Sequence, residues 1–312
     1  MKALILANPA AGRGRARDVA IHVREQLLAR GWTADVYFSM PPGETQSLGA
    51  GRLAIDHGGD ANRVIVIGGD GTLREVASAI LDRGYAVPVA FIPMGNANVV
   101  ACELGIPLDT ASSLELALAS TPPERTIDVG IANGEAFLAM VGTGFDAWVT
   151  RAIDRLRRST LGRIFYQTAF GADLLYGIAG LPAMLRLFPR RAKLTVDNAH
   201  GIGEFSSLWV CNMRSYAKGW SVTPAAAPDD GELDYHGVKG AFLLLPLLTM
   251  MYARRCRPCP PWLESSGTAR ELTISSALPI AWQLDGDPMP PVAVLTIHIR
   301  AQALRIICGA NQ

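Results

Sequence analysis

Charge of one sign is what this chain lacks. Its 29 lysines and arginines face 28 aspartates and glutamates, a formal net charge of +1 over 312 residues. Nothing in that balance calls for a nucleic-acid partner. Cysteine is scarce as well. The five are Cys102, Cys211, Cys256, Cys259 and Cys308, an odd number in a chain whose first apolar run is too short for an export signal. Reduced thiols are expected rather than a disulfide framework. Cys256 and Cys259 have zinc or redox spacing, but no second Cys/His pair accompanies them, and an unengaged pair in a proline-rich loop is the stronger reading. Apolar runs of spanning length are also missing. Thr168 to Phe188 is broken by Asp173, Pro182 and Arg186, and Ala241 to Met251 has only eleven residues. A cytoplasmic chain is expected, with the inner face of the membrane as a place of peripheral contact. Repeats, low-complexity tails, the G-x-x-x-x-G-K-[ST] loop and the G-x-G-x-x-G fingerprint are all absent.

What is present is an ordinary globular composition, 49% hydrophobic and 18% charged, long enough for two domains with separate cores. The most informative stretch is Arg63 to Val76. Val64 to Ile67 reads as a buried strand, Gly68-Gly69-Asp70-Gly71-Thr72 as a tight turn, and Leu73 to Leu81 as a helix. Glycines at a strand-to-helix turn let peptide N–H groups close on an anion. Thr72 is expected near the helix N-cap with its hydroxyl free. A carboxylate beside a phosphate is repulsive unless a cation lies between them, so Asp70 points to nucleotide with Mg²⁺. A plain turn with glycines used for geometry is the alternative.

Along the chain, strands at Lys2 to Ala7, Thr33 to Phe38 and Pro88 to Ile92 alternate with helices at Arg15 to Arg30, Glu44 to His57 and Thr110 to Ala119. A short helix to Leu104 follows the turn Pro93 to Asn98. Repeated βα units imply a mostly parallel sheet covered on both faces, with ligands at the strand carboxyl ends. Asn8, Ser39, Gly68 to Thr72 and Gly95 to Asn98 all fall there and are expected to share one crevice. After Pro123 the pattern becomes β-rich. Arg125 to Ile131 and Glu135 to Val141 flank Asn133-Gly134, a hairpin signal. Ala192 to Val196 and Phe205 to Asn212 read as an antiparallel pair. Shorter strands are expected at Leu233 to Val238, Arg270 to Ser275, Ile280 to Leu284 and Val292 to Arg300. Helical apolar stretches interrupt this half between Val149 and Phe188 and between Gly240 and Tyr252. Arg151, Arg155, Arg157, Arg158, Arg163, Arg186, Arg190 and Arg191 flank the first, which suits an anionic membrane surface or a solvated helix face.

Seven segments together carry a family resemblance. They are Asn8-Pro9-x-x-Gly12, Gly68 to Thr72 with Glu75-Val76, Pro93 to Asn98, Asp128-Val-Gly130, Gly142 to Ala147, Pro228 to Asp234 and Asp285-Gly-Asp-Pro288. In this order over nearly the whole chain they resemble the diacylglycerol kinase catalytic family, in its soluble bacterial lipid-kinase branch. The resemblance implies an α/β nucleotide-binding domain in three layers over 1–124 and a β-sandwich domain with inserted helices over 125–312. The last strand is a candidate to return to the first domain, and the active site is expected in the cleft between the two.

By the same resemblance, ATP is bound by Asn8, Ser39, Gly68, Gly69, Asp70, Gly71, Thr72, Glu75, Gly95, Asn96 and Asn98, with Asp70 holding Mg²⁺. Asn96 stands where the family has threonine. Asp287 stands where the family has the glutamate that accepts the proton of the lipid hydroxyl, and Asp285 is a candidate to compensate for the shorter side chain. Asp285-Gly286 also reads simply as a tight turn. The carboxylate of Asp230 with the carbonyls of Ala227 and Glu232 resembles a second, structural Mg²⁺ site, or a plain β-turn after Pro228. The expected partners are a lipid substrate, a membrane surface and no nucleic acid, with a homodimer left open. An NAD kinase shares the Gly-Gly-Asp-Gly turn, and a binding module without turnover is the non-enzyme alternative.

Overall fold

The computed structural model describes residues 1–39, 60–158, 194–198, 201–217, 220–239 and 264–309. The expected helix from Glu44, the apolar stretches from Thr168 and Ala241, the Cys256/Cys259 pair and Arg163, Arg186, Arg190 and Arg191 lie outside the described residues. Among the described residues no helix is long and apolar enough to cross a membrane.

The first half contains β1 (Lys2–Ala7), α1 (Ala16–Ala29), β2 (Thr33–Phe38), β3 (Arg63–Gly68), α2 (Asp70–Arg83), β4 (Val89–Pro93), α3 (Val99–Glu103) and α4 (Thr110–Leu118). Its strands run parallel in the order β2-β1-β3-β4. Alternation along each strand feeds two cores. Leu4, Leu6, Val64, Val66 and Phe91 pack on one face, and Ala3, Ile5, Ile65, Ile67 and Ile92 on the other. Every residue of β3 is buried, which explains its unbroken β-branched run. Helix α2 begins at Asp70, three residues before the expected Leu73, because Gly69 adopts extended backbone and serves as the N-cap. An aspartate in the first turn is favoured by the helix dipole. At its other end Gly84 takes a left-handed φ of 65° and closes the helix.

The second half contains β5 (Glu124–Ala132), β6 (Glu135–Phe137), β7 (Met140–Thr143), α5 (Phe145–Arg158), β8 (Leu194–Asn198), β9 (Gly201–Phe205), β10 (Ser207–Cys211), β11 (Ser215–Ala217), β12 (Trp220–Ser221), β13 (Leu233–Val238), β14 (Glu264–Ala269), β15 (Glu271–Leu284) and β16 (Asp287–Ile307). Asn133 and Gly134, both at positive φ, close the β5–β6 hairpin. Two pairings differ from expectation. The strand read as Glu135 to Val141 is two strands, and β7 pairs with β10 and β15 rather than with β5. Of the expected pairing between Ala192 to Val196 and Phe205 to Asn212, only Leu194 opposite Phe205 is present among the described residues. A break at Ser206 divides that run, so β9 pairs with β8 while β10 lies between β7 and β13.

An α/β half and a β-sandwich half make the two-domain fold. Among the described residues one 14-stranded sheet nevertheless runs through both, in the main order β14-β13-β10-β7-β15-β16-β4-β3-β1-β2. The connecting element is β16. It pairs antiparallel with β15 and β5, and near its end Ile306 pairs parallel with Val89 of β4.

Candidate active site

The carboxyl ends of β1 to β4 are tied together by main-chain bonds. The N–H of Asn8 donates to the Ile67 carbonyl at 2.9 Å, Ser39 N–H to Ala7 at 2.9 Å, and Gly12 N–H to Met94 at 3.0 Å. The two glycine turns touch. A Cβ at Gly95 would fall 2.7 Å from the Gly69 Cα, so neither position accepts a side chain without moving the other. Asn8, Ser39, Gly68 to Gly71 and Gly95 are thus one neighbourhood.

Their side chains divide into those that shape the turns and those left open. Asn98, at φ 48°, accepts the Gly95 N–H at 2.9 Å and donates to the Gly95 carbonyl at 3.0 Å, so its amide is engaged in the loop itself. Thr72 is buried in the first turn of α2, three residues after the N-cap Gly69, and packs over Gly68. Asn96 is exposed. The Asp70 carboxylate reaches across to the start of α3, accepting the N–H groups of Val99 and Val100 at 3.1 Å each. Burial holds the Asp70 carboxyl above the ordinary carboxylate range. Those N–H donors pull it down, and the negative charge of Asp285 adds to the rise. Glu75, the next turn along α2, is raised by burial too, against Arg74 and with Asp287.

The β15–β16 turn faces this neighbourhood from the other domain. Asp285, at φ 47°, is wholly committed: its oxygens accept the N–H groups of Leu138, Ala139 and Met140 at 2.8–2.9 Å. The expectation that it shares proton acceptance with Asp287 gives way to that geometry, because the half-buried Asp285 carboxylate is occupied by three donors and anchors the turn. Asp287 is different. Its side chain is 53% exposed, and Oδ2 accepts from Nη2 of Arg74 at 2.8 Å. The same oxygen lies 3.4 Å from where a Cβ on Gly71 would stand. The carboxylate expected to accept the proton and the glycine turn are therefore side by side.

The third predicted site is at the Pro228 turn. Asp230 is exposed, and its Oδ1 accepts the Glu232 N–H at 3.0 Å, while Asp229 pairs with Arg125 at 2.7 Å. Buried Asp128 holds the turn by accepting the Gly231 N–H at 2.6 Å. Neighbouring Asp234 is pushed up to about 6, by burial first and then by the charges of Asp230 and Glu232. Among the described residues no group of three or more His, Cys, Asp or Glu side chains is arranged to hold a metal ion. Any cation at this turn would depend on carbonyl oxygens.

Comparison with known proteins places this arrangement. Residues 2–132 match the diacylglycerol kinase catalytic domain, and residues 139–308 match the YegS C-terminal NAD kinase beta sandwich-like domain. A protein of Pseudomonas fluorescens named "Probable lipid kinase YegS-like" is 30% identical over 289 residues, 90% of this chain and 88% of that one. The chain belongs to the YegS-like lipid kinases. A namesake from Pseudomonas putida is 30% identical over 90% of this chain and 87% of its own. Among solved structures, a diacylglycerol kinase from Bacillus anthracis aligns with TM-score 0.67 at 19% identity, over 99% of this chain and 97% of that one. A second crystal structure from that organism gives TM-score 0.75 at 20% identity over the same shares. At those identities the structural likeness speaks for the fold.

Three members of this candidate site were not found in the sequence. Arg74 follows Asp70 by four residues, and helical spacing was the available signal. Gln283 has no motif. Its Nε2 donates to Oδ2 of Asp146 at 2.7 Å, and its Oε1 accepts the Gly286 N–H at 2.6 Å. Asp146 lies in the Gly142 to Ala147 segment but was given no task. It is buried at the start of α5 and also accepts from the Tyr216 hydroxyl. From the basic set, Arg151 is turned inward and donates to the Met289 carbonyl. A cavity of about 700 Å³ lies at the opposite ends of the parallel strands, lined in part by Trp32, Arg63, Tyr85 and Arg305. Arg63 there caps the end of α4 through the carbonyls of Ala117 and Ala119, and Arg305 pairs with Glu124.

Proposed function

We propose that the chain transfers the terminal phosphoryl group of ATP to a hydroxyl of diacylglycerol or a related membrane lipid. The setting of Asp287 carries this reading: a half-exposed carboxylate beside Gly71, one residue after Asp70, at the carboxyl ends of a parallel sheet. The close approach of Gly69 and Gly95 leaves the two turns without side chains that would keep phosphate oxygens from the main chain, with Asn8, Ser39, Glu75 and Asn96 as the surrounding candidates. Asp70 is the candidate ligand for Mg²⁺, since burial near a second carboxylate leaves it short of positive charge. Mg²⁺, when bound, offsets charge on the phosphates.

Asp287 then has one task. As the acceptor oxygen bonds to the γ-phosphorus and the bond to the departing ADP oxygen breaks, the hydroxyl proton passes to its carboxylate. Asp285 holds the turn that carries it. Asp230, with the carbonyls of Ala227 and Glu232, is the candidate for a second, structural Mg²⁺, which would relieve the negative charge around Asp234. The acceptor brings the chain to a membrane surface as a peripheral protein of the cytoplasm.

The test is transfer of labelled γ-phosphate from ATP to a total lipid extract with Mg²⁺. Wild type should label a lipid whose mass names the substrate. Asp287→Ala should lower the rate at least about 100-fold, and Asp70→Ala should abolish labelling. Labelling of added NAD instead would replace the lipid reading with the NAD kinase one. ATP binding with no labelled acceptor of either kind would favour a module without turnover.

A further inference from the structure

Arg74 lies outside every segment given a role above, yet it joins the two halves of the molecule at the reacting carboxylate. Four residues after Asp70 on α2, it shares that residue's helix face. Its terminal nitrogens go to different partners: Nη1 donates to the Leu284 carbonyl at 2.6 Å, and Nη2 to Oδ2 of Asp287 at 2.8 Å. Leu284 and Asp287 are the register pair that closes the β15–β16 hairpin. A planar guanidinium across that pair fixes both the height and the rotation of the turn, which a point charge cannot do. The Arg74 side chain is only 15% exposed, so the cation is packed in place while the carboxylate beside it opens to the cleft. Oδ1 of Asp287 has no hydrogen-bond partner among the described residues.

We infer that Arg74 is a positioning residue for phosphoryl transfer: it holds Asp287 by Oδ2 and so presents Oδ1 to the acceptor hydroxyl. The inference rests on the lipid-kinase reading above. A purely stabilising role does not account for the geometry, because an ion pair with a half-exposed partner adds little to folding. What the pair fixes is the place of one oxygen, and a displacement of about 1 Å at a reacting group costs about 100-fold in rate.

The experiment measures kcat and KM with Mg²⁺-ATP and vesicles of the lipid class that wild type labels, alongside thermal melting. Arg74→Met keeps the stem and removes the charge. It should lower kcat about 30- to 100-fold, leave both KM values within about threefold, and keep the melting temperature within about 3 °C. Arg74→Lys should recover part of the rate, since an ammonium reaches one of the two partners. Adding Asp287→Asn to Arg74→Met should cost no more than about a further threefold, because the two act as a unit. A wild-type kcat in Arg74→Met, a lower melting temperature alone, or a full second loss in the double variant overturns the inference and leaves the kinase reading standing. A wild-type protein that labels no lipid removes the kinase reading and the inference with it.

Discussion

Asp234 lies in β13 with its carboxyl pushed up to about 6, by burial and by the neighbouring charges of Asp230 and Glu232. In the unfolded chain the same group titrates at about 3.9. Between those values the folded state holds more protons, so stability falls as pH rises through the window and the penalty is fully present above it. Below about pH 4 both states are protonated and the penalty vanishes. Asp234→Asn should therefore raise the melting temperature by a few degrees at pH 7.5 without divalent ions, and this gain should shrink toward zero at pH 4. If the Asp230 turn takes Mg²⁺, the ion should stabilise wild type at pH 7.5 and help the variant less. Equal melting at both pH values would remove the charge argument. At this scale the sequence identified which residue types gather but not their separate tasks. Asp285 and Asp287 are the same side chain two residues apart. Only the φ of 47° at Asp285 and the three N–H groups beneath it tell the anchor from the proposed acceptor. The backbone donors come from Leu138 to Met140, far away in the chain, and no local pattern announces them.

The β15–β16 hairpin turn is held from below by a chain of side-chain bonds. Asp146 accepts from Gln283, and Gln283 in turn accepts the Gly286 N–H. Gln283→Ala leaves a buried carboxylate oxygen without its donor and an amide without its acceptor. The expected cost is about 2 kcal/mol, read as a lower denaturation midpoint, together with a fall in kcat larger than any change in KM. An unchanged midpoint would mean that water replaces the amide. Elements were legible where one rule governs them. The β-branched run of β3, the glycine that ends α2 and the Asn133-Gly134 turn each act through neighbours in sequence. Strand partners were not legible, because β7 and β10 meet through residues about 70 apart in sequence and both are buried throughout. The length of β16 was hidden for another reason. Its buried residues are Leu295 and Ile297, then Leu304, Ile306 and Ile307, with the alternation changing phase across Gln302 at φ 49°. A bulge there shifts the alternation, so a reading by strict period ends at Arg300.

That bulge matters for the whole molecule. The Gln302 N–H donates at 2.7 Å to buried Asp128, which also holds the Pro228 turn through Gly231. Past the bulge, Leu304, Ile306 and Ile307 enter the cores of the first half, and Ile306 pairs with β4. Strand β5 pairs with β16 and β6. A chain cut to residues 1–132 would contain every residue matched by the catalytic-domain model, but β5 would lose the strand that joins it to the parallel sheet. It would also expose the β4 edge, an invitation to pair with other chains. The two domains are therefore expected to unfold together. Denaturation followed by tryptophan fluorescence and by far-ultraviolet circular dichroism should give coincident transitions, and the 1–132 fragment should aggregate rather than melt cooperatively. Two separated transitions in the intact chain, or a fragment that folds alone, would show that β16 lies along a boundary instead of binding the halves together. Coincident transitions would also tie the proposed active site to the same unit, because Asp287 is the first residue of the strand whose far end joins the parallel sheet of the first half.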